Sequence, residues 1–434
     1  MLKRWILVLL VVTVPVVWAG LPVTEYTLKN GMRVLVYEDH SAPVVSTQIW
    51  YRVGSYNEPA GQTGISHLLE HMMFKGTKRY GPKEYDRIID QHGGEENGFT
   101  GNHYTVYYAN LFKDYYPIEL AMEADRMANL RLDSLEFQRE RKVVMEERRL
   151  SENDPYGLLF ETFDEVAYLR HPYRNPTVGW MEDLQQITRR NLVDYYHKWY
   201  NPANALVVVA GDIKPAEARE SVERSFGKIK GEPAPELVVM EPEQRGERRI
   251  EVKREVGSKA ILIGYHIPEE GSADSDVLNV ITGILFRGRT SRMYKKLVYE
   301  DQQALSCSGW VGNSKYPGVF SIFAIPRQGK DLARLEESIY QGLEQLKTGD
   351  IEDRELARVK NQTIAGFLFR QDSFFGMGLG LANTEIITGS YRNLETYPER
   401  IGRVTKEEIR EVAKKYFTKD NRTVAILVPE KEAK

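Results

Sequence analysis

Residues 186–210 read QITRRNLVDYYHKWYNPANALVVVA, and residues 403–427 read RVTKEEIREVAKKYFTKDNRTVAIL. The two stretches align without a gap at an offset of 217, half of the 434-residue chain. Thr188 meets Thr405, Lys198 meets Lys415 and Asn204 meets Asn421. Each stretch has the same physical grammar: a threonine in N-cap position opens an amphipathic helix, a polar turn closes it and an apolar strand follows. Any helix–turn–strand unit has that outline, but a gapless register with matched caps points to internal duplication. A second echo agrees, since Phe74-Lys75-Gly76-Thr77 and Phe286-Arg287-Gly288-Arg289-Thr290 each follow a helical pattern.

Between the halves, residues 231–247 hold Pro233, Pro235, Pro242 and Gly246 among several glutamates, the composition of a linker. The expected organisation is a first domain over 20–230, the linker over 231–247 and a homologous domain over 248–434. In the first half, residues 32–37, 44–53 and 99–111 read as strands, and 62–74, 117–131 and 136–150 as helices. Strands and helices mix without strict βαβ alternation. The expected fold class is therefore α+β, with two homologous domains that each pack helices on a mainly antiparallel sheet.

Hydrophobic residues make up 42% and charged residues 28%, as in globular proteins, and a formal charge of -3 gives no footprint for nucleic acid. The single cysteine, Cys307, excludes disulfides within the chain and thiolate metal clusters. Lys3 and Arg4 precede an apolar run over 5–18, with Val17 and Ala19 as small residues before Gly20. Residues 1–19 read as a signal peptide cleaved after Ala19, because the run falls short of the ~20 residues of a membrane span. The expected mature protein is exported, periplasmic in a two-membrane cell, with no permanent span.

The stretch Gly64-Ile-Ser-His67-Leu-Leu-Glu70-His71-Met-Met-Phe74 carries the chemistry. On a helix, His67 and His71 stand one turn apart on one face, where two imidazoles can share a zinc ion. Glu70 lies at the edge of that face, within reach of a metal-bound water without being a ligand. Leu68, Leu69, Met72 and Met73 fill the other faces, so the helix is expected to be buried. Two core histidines and a solvated glutamate are the blander reading, but a buried helix with three polar residues on one face needs a reason. Catalytic zinc also needs a third protein ligand and an open position. The helix EFQRERKVVMEERRL over 136–150 offers Glu140 and Glu147, seven apart on one face, while Glu146 points elsewhere. Spacing alone does not choose between Glu140 and Glu147.

His67-Leu-Leu-Glu70-His71 followed by a glutamate 76 residues on resembles the signature of the pitrilysin family of inverted zinc metallopeptidases. The likeness extends over nearly the whole mature chain, through Glu140-Arg-Lys-Val-Val-Met-Glu-Glu147 and His171-Pro-Tyr-Arg-Asn-Pro-Thr-Val-Gly179. Length and duplication are most similar to the short two-domain bacterial branch, related to mitochondrial processing peptidase subunits. The resemblance implies one zinc ion per chain, with Glu147 as third ligand, Glu70 as general base and Glu140 as a supporting acid. It also implies that Asn97, Gly98 and Phe99 belong to an edge strand that takes a peptide backbone by strand addition. His92 and His103, close to that stretch, read as a turn and a strand residue rather than ligands.

The second half departs from the motif. The Phe-Lys-Gly-Thr echo sets Asn279 opposite His67, Thr282 opposite Glu70 and Gly283 opposite His71, so no metal site is expected there. Many family members carry an arginine and a tyrosine, seven residues apart, in this half. Here those positions fall on Val298 and on Ser306 or Cys307. The resemblance thus implies a partner: a noncatalytic paralogue that supplies the pair, or a second copy in a homodimer. A noncatalytic peptide-binding subunit would carry a damaged motif, and a hydrolase of small molecules would not need duplicated halves. The intact motif and the duplication favour a peptidase.

Overall fold

The computed structural model describes residues 20–312 and 314–430, and the expected signal peptide lies outside them. The first sheet holds β1 (Val23–Thr27), β2 (Arg33–Glu38), β3 (Val44–Tyr51), β4 (Glu95–Thr100), β5 (Thr105–Phe112) and β6 (Ala205–Gly211), in the order β1-β2-β6-β3-β5-β4. The second holds β7 (Arg248–Arg254), β8 (Ala260–Ile267), β9 (Ala304–Val311), β10 (Gly318–Pro326) and β11 (Arg422–Pro429), in the order β7-β11-β8-β10-β9. With β2 to β6 written as β7 to β11 the two orders coincide, and β1 is an addition. The parallel pair is also the same in each, β2 with β6 and β7 with β11, and every other pair is antiparallel. The class is the expected α+β one, built twice.

The first-half helices are α1 (Ile65–Met73), α2 (Glu84–Gln91), α3 (Tyr116–Asn129), α4 (Ser134–Asn153), α5 (Pro155–Ala167), α6 (Met181–Gln186), α7 (Arg189–Trp199) and α8 (Pro215–Phe226). Those of the second half are α9 (Ala273–Phe286), α10 (Leu332–Thr348), α11 (Asp353–Phe369), α12 (Phe374–Thr388), α13 (Arg392–Arg403) and α14 (Lys406–Tyr416). The repeat between residues 186–210 and 403–427 holds to the atom. Thr188 and Thr405 each accept the backbone N–H of the third helical residue, Asn191 or Glu408, whose side chain accepts the threonine N–H in return. Asn204 and Asn421 then each donate 2.9 Å to the last carbonyl of their helix, that of Trp199 or Tyr416.

One face of the first sheet packs Val45, Ile49 and Tyr107 against Leu68 and Met72 of α1, Leu120 of α3 and Leu192 of α7. Its other face is covered from the second half, where Met377, Leu381 and Ile386 of α12 bury Leu35, Trp50, Val106, Leu206 and Val208. The reverse also holds. Leu159, Phe163 and Ala167 of α5 cover Val252, Ala260, Leu262 and Leu427 of the second sheet. Burying each large side chain is worth about 1.5–3 kcal/mol, so this exchange of helices ties the halves far more firmly than the connecting chain.

Some expectations change. The strand read over 99–111 is a hairpin, β4 and β5, whose turn is closed by Gly101 N–H donating 2.8 Å to the Tyr104 carbonyl. Residues of a tight hairpin alternate on through the turn, so periodicity alone does not mark the break. His103 accordingly sits in that turn, not in a strand. The helix read over 136–150 starts earlier, at Ser134, because Asp133 caps it through the N–H groups of Leu135 and Glu136. Residues 231–247 form neither helix nor strand but are held down: Glu241 accepts the N–H groups of Leu169, Arg170 and His171, and the Tyr56 hydroxyl donates to the Leu237 carbonyl. No helix among the described residues is long and apolar enough to cross a membrane.

Candidate metal centre

α1 is positioned at its N-terminus by Glu58, whose two oxygens accept the N–H groups of Gly64 and Ser66 at 2.8 Å each. Its oxygens thereby satisfy orphan donors of the helix, while burial pushes the carboxyl group up to about 8 against the pull of those N–H bonds. Gly64, at φ +85°, sits back to back with Gly179, at φ +87°. A Cβ on Gly64 would lie 2.4 Å from the Val178 carbonyl oxygen. Only glycine permits that approach, which is why Gly64 and the Thr-Val-Gly179 stretch, distant in sequence, belong to one structure.

His67 and His71 emerge on the face of α1 that meets α4. Their rings are 4.8 Å apart and nearly perpendicular, at 82°. The Nε2 atoms lie 3.8 Å and 3.6 Å from Glu147 Oε2 on α4. These separations are long for hydrogen bonds but close to the roughly 3.4 Å ligand–ligand edge of a tetrahedral site with bonds of about 2.1 Å. The three ligand atoms all fall within 4.8 Å of one another, and among the described residues this is the group of such side chains that could hold a metal ion. Two imidazoles and one carboxylate, with a side left open, suit catalytic zinc. Burial, with His71 beside it, pushes His67 down to about 4, so its imidazole is neutral at neutral pH and has a lone pair to give.

Glu140 and Glu147 take different positions on the face they share. Glu140 is buried, and its Oε2 lies 3.3 Å from His71 Nδ1, which leaves Nε2 free on the open side. Lys75 Nζ stands 2.9 Å from the other Glu140 oxygen. Glu146 faces solvent and pairs with Arg149. Glu70 is 8% exposed and accepts a 2.6 Å hydrogen bond from the Thr100 hydroxyl of β4. Burial raises its pKa, while the Thr100 bond works the other way. Asn97, Gly98 and Phe99 precede Thr100 on β4, the outermost strand of the first sheet. Lys75, Thr100 and Glu58 were not singled out from sequence. Lys75 follows His71 by four residues, a spacing that could have found it, whereas Thr100 and Glu58 reach the site only through tertiary structure.

In the second half the same place is filled by carbon. Gly283 follows His71 by 212 residues, and Val359 follows Glu147 by 212. A Cβ on Gly283 would lie 2.3 Å from Val359 Cγ1, so α9 and α11 pack directly where α1 and α4 leave a polar gap. Thr282, opposite Glu70, turns its hydroxyl back onto the Leu278 carbonyl of its own helix.

A duplicated α+β fold with His, His and Glu converging between two helices of one half defines the class that the sequence resembles, the inverted zinc metallopeptidases. Two family models match, "Insulinase (Peptidase family M16)" over residues 33–179 and "Peptidase M16 inactive domain" over 186–363, and the chain belongs to this family. It is 30% identical to the zinc protease PqqE of Helicobacter pylori, over 93% of this chain and 92% of that one. It is 26% identical to the uncharacterized zinc protease YmxG of Bacillus subtilis, over 92% and 96%. The crystal structure of a protease from Helicobacter pylori superposes with a TM-score of 0.90 at 29% identity, covering 94% of this chain and all (100%) of that one. The fold of the periplasmic protease PqqL from Escherichia coli matches with a TM-score of 0.79 at 18% identity, over 95% of this chain but 48% of that one.

Proposed function

We propose that this chain is a zinc-dependent endopeptidase that cleaves peptides or unfolded polypeptides held in extended form. One observation carries the reading: the Nε2 atoms of His67 and His71 converge on Glu147 while Glu70, beside them, is hydrogen-bonded to the edge strand. His67, His71 and Glu147 hold the metal. When bound, zinc supplies a Lewis acid that brings a water toward a pKa of about 7 and stabilises negative charge on a carbonyl oxygen. Glu70 takes the proton of the attacking water and passes it to the leaving amine. Glu140 fixes the ring of His71 through Nδ1, and Lys75 keeps Glu140 in place. The free edge of β4, with Asn97, Gly98 and Phe99, pairs with the substrate backbone. Backbone capture sets the direction of the peptide and tolerates many sequences.

The chain works as one part of a larger enclosure, assembled with a noncatalytic paralogue that contributes the arginine and tyrosine, or with a second copy of itself. Val298 is 9% exposed in the core of the second half, so an arginine introduced there would bury a guanidinium, and the pair is better supplied by another chain. Residues 1–19 direct export, to the periplasm in a two-membrane cell.

Purified protein assayed for zinc by mass spectrometry and for cleavage of a pool of unstructured peptides tests the reading. Stoichiometric zinc with chelator-sensitive cleavage is expected, alone or on adding a co-expressed paralogue. Zinc binding with no cleavage under either condition would overturn the peptidase and leave a peptide-binding subunit.

A further inference from the structure

The dipeptide Asn-Gly occurs twice in the chain, as Asn30-Gly31 and Asn97-Gly98. It is the context in which a side-chain amide is most open to attack by the backbone nitrogen that follows, because glycine puts no side chain in the way. The first copy is pinned. Asn30 Nδ2 donates 2.8 Å and 3.0 Å to the Phe226 and Ile229 carbonyls, and Asn30 Oδ1 accepts the Met32 N–H at 3.3 Å. The nitrogen that would attack is engaged as well, since the Gly31 N–H donates 3.0 Å to the Leu28 carbonyl.

The second copy is open. Asn97 is exposed and lies on β4, the outermost strand of the first sheet. Antiparallel ladders bond alternate residues. The Gly101 N–H that closes the hairpin on Tyr104 therefore sets the N–H groups of Phe99 and Asn97 toward β5 and that of Gly98 off the free edge. The Gly98 N–H instead donates 2.8 Å to Oδ1 of Asn97. The amide is thus folded back over the nitrogen that can attack it, and among the described residues its Nδ2 has no acceptor.

We propose that Asn97-Gly98 is a site of spontaneous deamidation that ages the edge strand, and that the fold protects Asn30-Gly31 from the same reaction. The Gly98 nitrogen attacks Cγ of Asn97, and the new N–Cγ bond closes a cyclic succinimide. The Cγ–Nδ2 bond breaks, and the Gly98 amide proton leaves with Nδ2 as ammonia. Water then opens the ring. Cleavage of the N–Cγ bond leaves aspartate at position 97, and cleavage of the original peptide bond leaves isoaspartate. Aspartate adds a negative charge next to Glu95 and Glu96. Isoaspartate inserts an extra carbon into the backbone, so the residues beyond it lose their register with β5 and with any peptide on the free edge. The consequence for cleavage rests on the peptidase reading above, and the chemistry itself does not.

The test ages the zinc-loaded full chain for days in warm, mildly alkaline buffer, with samples digested and read by mass spectrometry and isoaspartate counted by enzymatic methylation. The peptide that holds Asn97 should gain the amide-to-acid mass at least ~10-fold faster than the peptide that holds Asn30, a factor set by the hydrogen bonds that must first break at Asn30. In urea, where neither dipeptide is held, the two rates should converge. Cleavage per bound zinc should fall in proportion to the modified fraction, while Asn97→Gln should keep through ageing whatever cleavage it starts with. Equal rates at the two dipeptides in the folded protein, or no modification at Asn97, would overturn the proposal. Modification at Asn97 with cleavage per zinc undiminished would overturn its bearing on the strand. A protein that never cleaves would remove the peptidase reading and leave the comparison of the two dipeptides to decide this one.

Discussion

Glu70 and Glu140 are both buried carboxylates next to His71, yet each is held for different work. Glu70 is engaged from the edge strand, Glu140 from Lys75 and the far nitrogen of the imidazole. Glu70→Gln should therefore keep stoichiometric zinc and lose cleavage by at least ~100-fold, read by metal analysis beside the peptide assay. Loss of zinc in that variant would make Glu70 a ligand. Glu147→Gln should lose zinc on dialysis, whereas Glu146→Gln, altering a solvent-facing ion pair, should retain it. Lys75→Met should fall between the two, with zinc affinity lowered by ~10-fold or more, because Glu140 loses the cation that fixes it. An unchanged zinc titration would confine Lys75 to the surface. At this scale the sequence spoke clearly for His67, Glu70 and His71, whose spacing on a helix is itself the geometry. Spacing was silent between Glu140 and Glu147, since seven residues bring both to one face, and the choice of Glu147 came from the family resemblance. Only the placement of α1 against α4 separates a carboxylate at the two Nε2 atoms from one at Nδ1.

The residue after Glu147 links the site to the elements around it. Arg148 is 2% exposed, its Nη1 donates 2.7 Å to both oxygens of Glu161 on α5, and its guanidinium lies 4.9 Å over the ring of Trp180. α4 and α5 are thus fastened together directly behind the candidate ligand. Arg148→Met strands a largely buried carboxylate, for which a loss of about 3 kcal/mol is expected in urea unfolding of the chelator-treated protein. Weaker zinc binding should accompany it. A fall in stability with an unaltered zinc titration would separate the fastening from the site. Helices and strands were legible where periodicity was strong and capped, as in α7 and α14 with their threonines. The β4–β5 hairpin was not, because Phe99-Thr100 and Tyr104-Thr105 read as one strand-forming run, although Gly101-Asn102-His103 between them carries the turn that the Gly101 N–H closes. The exchange of α5 and α12 was also invisible, since an apolar helix face does not say which sheet it covers.

Where the halves meet, two histidines are buried, His103 beside Tyr173, Tyr56, Tyr316 and Lys315 and His171 beside Tyr168 and Glu241, and a third, His266, is half-buried beside Arg248 and donates 3.0 Å to the Ala167 carbonyl. Burial pushes His103 down to about 3, with Lys315 acting the same way, and His171 down to about 4 against the pull of Glu241. Burial also lowers His266. The unfolded chain, with histidines near 6.5, takes up more protons than the folded one between about 6.5 and 4. Stability from this seam is therefore complete above pH ~6.5 and declines as pH falls through that window. Between pH 7 and pH 5 the urea midpoint of the zinc-free wild type should therefore fall relative to that of His171→Gln. Parallel profiles would clear the seam of this role. The exchanged helices predict, further, that residues 20–230 alone will bind a hydrophobic dye and aggregate, and that co-expressed residues 231–434 will restore solubility. A soluble monomer that leaves the dye dark would contradict it.

That exchange also sets a timetable for synthesis. The last strand of the first sheet ends at Gly211, but α12, which covers its apolar outer face, begins only at Phe374, about 160 residues later. At ~5–20 residues per second the ribosome leaves Leu35, Trp50, Val106, Leu206 and Val208 without their cover for roughly 8–30 s. A nascent chain in that state invites chaperones and rewards being kept unfolded until its C-terminal third is available, so the half that is made first is the half that is finished last.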